Sequence, residues 1–385
     1  MPSPLESIVD TRRVVITVGA GGVGKTTTAA ALGVAAAQRG KRVLCLTIDP
    51  ARRLAESLGI ARMSTEAMDI DPERFVAAGA PLRGSLTVMM LDTKRTFDEL
   101  IRKYSSTPER AERLLQNKLY QYVSTSLAGT QEYMAMEKLI AVKDDPRYDL
   151  ICLDTPPTSN ALDFLDAPER LVDALDSAAM RWFVEAFQST GKLSLNLLAR
   201  SASVVLRAIS KITGGTFLQD VAQFITELND LFGGFKERAA RVQATLRGED
   251  VAFVLVTSPS PVSIKEVLYF SGRLEEHDMP RGALVVNRYR IPPPSAERAP
   301  VSISKVAAAV AARGIALDED APERLSRAHL DAVNLAALDA HHVSRLEEQL
   351  PEGIPVVKVP ELASDVHDVK LLSDLAATLI SGGIK

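Results

Sequence analysis

Lys25, Thr26, Asp49 and Asp154 are of the types that act on phosphate esters and hold a hard divalent cation. The first two close the run Gly19-Ala20-Gly21-Gly22-Val23-Gly24-Lys25-Thr26, which matches G-x-x-x-x-G-K-[ST]. Side chains at its glycines would keep backbone N–H groups from closing around a phosphate. An apolar stretch before the run reads as a strand, and the Ala-rich residues 27–39 after it read as a helix. Unsatisfied donors and the dipole of that helix then also face the anion. Gly21, Gly22, Val23, Gly24, Lys25, Thr26 and Thr27 are therefore the expected phosphate cradle. Lys25 is placed to reach the β- and γ-phosphates, and Thr26 to hold Mg²⁺. The pattern implies binding of a nucleoside triphosphate.

The two carboxylates follow apolar runs. Residues 43–48 deliver Asp49, and Pro50 is suited to start the next helix. At this junction Asp49 is expected to orient or deprotonate an attacking water. The position also suits an N-cap, and the two roles are compatible. Residues 150–153 deliver Asp154, which has a Walker-B-like setting and is expected to reach Mg²⁺ through water. A turn aspartate without a ligand is the alternative. The loop over 155–160 is placed to respond to the γ-phosphate.

These residues need elements to bring them together. Short apolar runs at 14–18, 43–48, 86–91, 150–153, 252–256, 283–286 and 356–359 alternate with helical patterns. Such alternation predicts an α/β fold with a mostly parallel central sheet flanked by helices. Ligands of such sheets collect beyond the carboxyl ends of the strands. Residues 93–146 and 160–247 interrupt the alternation with helices alone, and we expect them to pack into a helical subdomain inserted in a single domain spanning 1–385. Further helices are expected at 301–313, 322–350 and 368–380.

Composition narrows the function. A 385-residue chain with 46% hydrophobic and 24% charged residues can bury a large core. A net charge of −4 gives no electrostatic reason to expect nucleic acid or an anionic membrane. No run reaches 18 apolar residues, so no transmembrane helix is expected, and the first residues lack an apolar signal region. Both cysteines, Cys45 and Cys152, fall inside strand-like runs, where buried packing is the expected role. A cytoplasmic setting is the default.

In order and spacing, the segments at 19–27, Asp49-Pro50-Ala51 and Asp154-Thr155-Pro156-Pro157-Thr158 resemble the P-loop, switch I and switch II of the ArsA-type ATPases. That family includes arsenical-pump ATPases and ATPases that target tail-anchored membrane proteins. Val285-Val286-Asn287 and Val359-Pro360-Glu361 are similar to its two adenine-side elements. The resemblance implies Mg²⁺-dependent ATP hydrolysis with Asp49 as the hydrolytic residue. It also implies adenine contacts from Asn287, Pro360 and Glu361, and a nucleotide-gated dimer. The helical insertions fall where the family engages its clients, so a hydrophobic protein or membrane-protein client is expected. Alternatives are the catalytic subunit of an anion-export pump and a slow or non-hydrolysing regulatory subunit.

The chain departs from the family pattern at three places. Ala20 stands where the family carries a lysine that reaches the partner's nucleotide. Slow turnover, pairing with a sibling chain that keeps the lysine, or substitution by Arg52 or Arg53 would each answer that loss. Ser159-Asn160 replaces the usual Gly-His of switch II. Neither the zinc-binding nor the metalloid-binding cysteines are present, and His329, His341 and His342 are not placed to form a metal site. Apolar stripes such as Phe217, Val221, Phe224, Leu228, Leu231 and Phe235 lie at helical spacing. They read either as a closed core or as a client groove that nucleotide opens and closes.

Overall fold

Strand runs that are apolar on both faces can be buried only between two helical layers, and the chain folds accordingly. A computed structural model describes residues 2–48, 53–60, 63–118, 120–121, 124, 130–155, 224, 237–291, 302–315, 318 and 320–384. Its strands are β1 (Val14–Gly19), β2 (Arg42–Thr47), β3 (Met68–Asp69), β4 (Ser85–Met90), β5 (Leu150–Asp154), β6 (Val251–Thr257), β7 (Arg281–Tyr289) and β8 (Val356–Pro360). They form one sheet in the order β3-β4-β2-β5-β1-β6-β7-β8. All neighbours are parallel except β3 with β4. Each predicted strand is present: β1, β5, β6 and β8 are longer by one or two residues, β7 is longer by five, and β2 and β4 keep their length but start one residue earlier. The two-residue antiparallel β3 was not expected, and Ile48 and Leu91 fall just outside their strands.

Alternate strand residues separate into two cores. Val15, Val43, Cys45, Cys152, Val254 and Val285 face one layer of helices. That layer is made by α1 (Pro4–Thr11), α2 (Lys25–Gln38), α3 (Arg53–Ser57) and α4 (Glu73–Ala77), with the closing helix described below. Ile16, Leu44, Leu46, Leu153, Phe253 and Leu284 face the other. After α5 (Thr93–Tyr104) and α6 (Pro108–Gln116), the second layer takes α7 (Thr130–Lys143), α8 (237–246), α9 (Pro261–Glu276) and the C-terminal half of a 29-residue helix. That long helix, α11 (Ala321–Gln349), follows α10 (Ile303–Ala311), and α12 (Val369–Ile380) closes the first layer.

Helix α2 is buried on nearly all sides, and its small residues are the reason it fits. At Gly33 it lies so close to the sheet that a Cβ would stand 2.5 Å from Cys45 Sγ and 3.5 Å from Val43 Cγ1. Cys45 and Cys152 are paired in register across β2 and β5, and both are buried free thiols. The hydrogen bond between them, together with burial, pushes the Cys45 thiol well up, which makes it inert packing.

Within the expected helical subdomain, the described residues form helices joined by short turns and contain no strand. Buried Arg238 of α8 donates from Nε to Glu137 Oε1 of α7 at 3.2 Å, and its guanidinium lies 3.9 Å from the Tyr104 ring centroid of α5. Phe224 is buried. The rest of 160–236, including the other members of the apolar stripes, lies outside the described residues. No helix among the described residues is long and apolar enough to cross a membrane.

Candidate nucleotide site

Strand β1 lies in the middle of the sheet, with β5 on one side and β6 on the other. At this position the connections diverge to the two halves of the sheet, and loops beyond the strand ends part to leave a crevice. The loop from β1 into α2 occupies it. Helix α2 starts at Lys25, two residues earlier than expected, with Gly24 as its N-cap at φ +100°. Only a residue without a Cβ suits this backbone, and a Cβ here would also collide with Asn287 Nδ2. Lys25 and Thr26 therefore sit in the first turn, where backbone N–H groups point away from the helix along its axis. Both are more than nine-tenths buried. Lys25 Nζ donates to the carbonyl of Ala20 at 2.9 Å, which folds its side chain back over the loop.

Parallel pairing brings Asp154 to the same place. Thr17 and Thr47 are its register partners on the two neighbouring strands. Asp154 Oδ2 accepts from Thr26 Oγ1 at 2.7 Å and from Thr47 Oγ1 at 3.0 Å. A hydroxyl and a carboxylate thus converge at the loop, and hard oxygen donors of this kind suit Mg²⁺. Thr155 is buried, and its hydroxyl donates to Thr17 O at 2.7 Å, which fixes the start of the segment after β5. Asp49, Pro50, Ala51, Arg52 and residues 156–160 lie outside the described residues, as does the side chain of Arg53.

Two adjoining cavities flank the loop. One, of about 270 Å³, is lined by Gly22, Gly24, Lys25, Thr26, Thr27 and Thr155, with Glu56 and Ser57 of α3. The other, of about 490 Å³, is lined by Asn287, Pro360 and Glu361 and by residues 362–366. Gly24, Thr27, Arg288, Asp365 and Val366 belong to both. Asn287 Nδ2 donates to Val23 O at 2.8 Å, which ties the end of β7 to the loop. Glu361 N donates to Tyr289 O at 3.0 Å, and Glu361 Oε2 pairs with Arg290 Nε at 3.0 Å. Arg290 also contacts buried Asp339 of α11 through its backbone N–H at 3.1 Å and its guanidinium at 3.3 Å.

The structure therefore gathers Gly22, Gly24, Lys25, Thr26, Thr27, Asp154, Asn287, Pro360 and Glu361 at one end of the sheet, with Val23 held through its carbonyl and Gly21 in the same loop. It adds residues that motif reading missed. Thr47 is a donor to Asp154 only because β2 pairs with β5 in that register. Arg288 and Asp365 meet across the seam between the cavities, 3.6 Å apart. No group of three or more His, Cys, Asp or Glu residues able to hold a metal occurs among the described residues. His342 Nδ1 instead lies 3.1 Å from Pro259 O.

A mostly parallel sheet whose central strand enters a glycine-rich loop, followed by a helix carrying Lys25 and Thr26, defines a P-loop nucleoside triphosphatase. The family model described as anion-transporting ATPase, ArsA, matches residues 12–308, and the chain belongs to that family. It is an ATP hydrolase, as that family is. ATPase GET3 of Malassezia globosa is 22% identical, the match covering 98% of this chain and 95% of that protein. ATPase get3 of Aspergillus terreus is 26% identical over 77% of this chain and 79% of its own length. The putative arsenical pump-driving ATPase 1 of Aquifex aeolicus is 26% identical over 67% of this chain and 59% of its own.

Proposed function

We propose that the chain binds Mg²⁺-ATP at the loop of residues 21–27 and couples its hydrolysis to a rearrangement of helices that engage a hydrophobic protein client. The convergence of Thr26 and Thr47 on Asp154 Oδ2 carries this reading, because it puts an oxygen-donor pair beside the phosphate cradle. In it, backbone N–H groups of Gly21 through Thr27 hold the phosphates, and Lys25 leaves Ala20 O to neutralise them. Thr26 and Asp154 hold Mg²⁺, which when bound offsets phosphate charge. Asp49 orients and deprotonates the attacking water. Asn287, Pro360 and Glu361 line the adenine end.

The chain is read as one ATPase domain over 1–385, with 93–146 and 160–247 as its client-facing helical subdomain. It works in the cytoplasm as a dimer with itself or with a sibling ATPase. Turnover is slow, because the family's bridging lysine is Ala20 here, a buried residue packed into the core. Such a cation is worth on the order of 10³–10⁵ in rate where it operates. A thiolate-based metalloid site, as a pump reading would use, finds no support in two thiols buried inside the sheet.

Calorimetry with Mg²⁺-ATP and phosphate release on the same preparations test this reading. Lys25→Ala should lose nucleotide binding, and Asp49→Asn should bind ATP but release no phosphate. Unchanged phosphate release from Asp49→Asn would remove the hydrolytic assignment, and a wild-type chain that takes up no Mg²⁺-ATP would remove the whole reading.

A further inference from the structure

The seam between the two cavities holds a cation that neither the motif nor the family pattern assigns. Register between β7 and β8 runs Val286 with Lys358 and then Tyr289 with Pro360, so β7 carries one extra residue there. Such a bulge bends the strand and re-aims the side chains beside it. Arg288 sits in it at φ +58°, a left-handed conformation that arginine seldom adopts. Strain of this sort persists where the surroundings over-determine it, and it clusters at ligand sites. The bulge turns Asn287 onto the P-loop carbonyl of Val23 and leaves Arg288 lining both the phosphate cavity and the adenine-side cavity.

We infer that Arg288 binds the α-phosphate of the nucleotide, with Asp365 as its counter-ion when the site is open. A nucleotide reaching from Lys25 to Asn287 must cross the seam with its α-phosphate and ribose. Gly24 and Thr27, also at the seam, present the start of α2 to the same phosphate. An arginine fork matches phosphate oxygens better than it matches a single carboxylate oxygen 3.6 Å away. The Asp365 side chain is almost fully exposed, so its pairing with Arg288 is weak and yields readily. Segment 361–366, which carries Asp365, is released from that pair as nucleotide enters.

This inference rests on the nucleotide site proposed above, and titration with two ligands separates the two. Wild type, Arg288→Gln and Arg288→Lys are titrated with Mg²⁺-ADP and with adenosine, which lacks the phosphates. Loss of a charge-assisted contact should weaken ADP about tenfold in Arg288→Gln, with adenosine affinity unchanged. Arg288→Lys keeps the charge and should stay within about threefold of wild type for ADP. Wild-type ADP affinity in Arg288→Gln, equal weakening of adenosine, or a lysine variant as weak as the glutamine variant would each overturn the assignment while leaving the nucleotide site standing. A wild-type chain that binds neither ligand would instead remove the site itself.

Discussion

Asp154 accepts two hydroxyls on one oxygen, and these come from different elements, the loop helix and β2. That arrangement holds the carboxylate still before any cation arrives. Asp154→Asn keeps the volume and one carbonyl oxygen, so the fold should survive. Its Mg²⁺ affinity should fall about 10–100-fold, as for groups that act on a metal through an intervening ligand. Phosphate release measured against Mg²⁺ concentration reports this directly, and an unshifted curve would mean that Asp154 is only a cap for Thr26 and Thr47. Lys25, Thr26 and Asp154 could be found from residue type and spacing because their chemistry is local to a motif. Thr47 and Arg288 could not. A threonine in an apolar run reads as a strand former, and its task depends on which strand lies next to it. Arg288 reads as an ordinary charged strand end until a bulge turns it.

Among the elements, α2 shows how tightly the sheet constrains its cover. Gly33→Ala would press a methyl against Cys45 Sγ and should destabilise the chain by about 1–3 kcal/mol. Cys45→Ala removes the obstructing sulfur, so the double variant should recover stability relative to the sum of the two single losses, as chemical denaturation would show. Additive losses would place the strain elsewhere. The parallel order of the sheet follows from runs such as 252–256, whose apolar character on both faces excludes a solvent-facing strand. β3 left no such trace, since two residues paired antiparallel at an edge carry no periodicity. The start of α2 at Lys25 also escaped motif reading, because glycine at the cap provides no side-chain oxygen to mark it.

The assembled chain also has a readable acid response. Asp149, just before β5, takes the backbone N–H of Arg42 at 2.9 Å and its guanidinium at 2.7 and 2.9 Å. These bonds hold its carboxyl far below the usual carboxylate range. Because the folded value lies below the unfolded one, near 3.9, the contribution is complete above that pH and fades as pH falls through the folded value. Asp10, lowered by its hydrogen bond to Arg39, acts in the same direction where α1 meets α2. Asp149→Asn should therefore lower the melting temperature at neutral pH, and the gap to wild type should close in strong acid. A gap that persists at low pH would assign the loss to packing instead of charge.

One guanidinium, that of Arg290, grips both the loop after β8 at Glu361 and the long helix at Asp339. From Asp339 to Ala321 the helix extends about 27 Å, so a tilt of about 10° at that grip swings its far tip by roughly 5 Å. Leverage of this kind would turn a small adjustment at Glu361 into a larger displacement at the far tip.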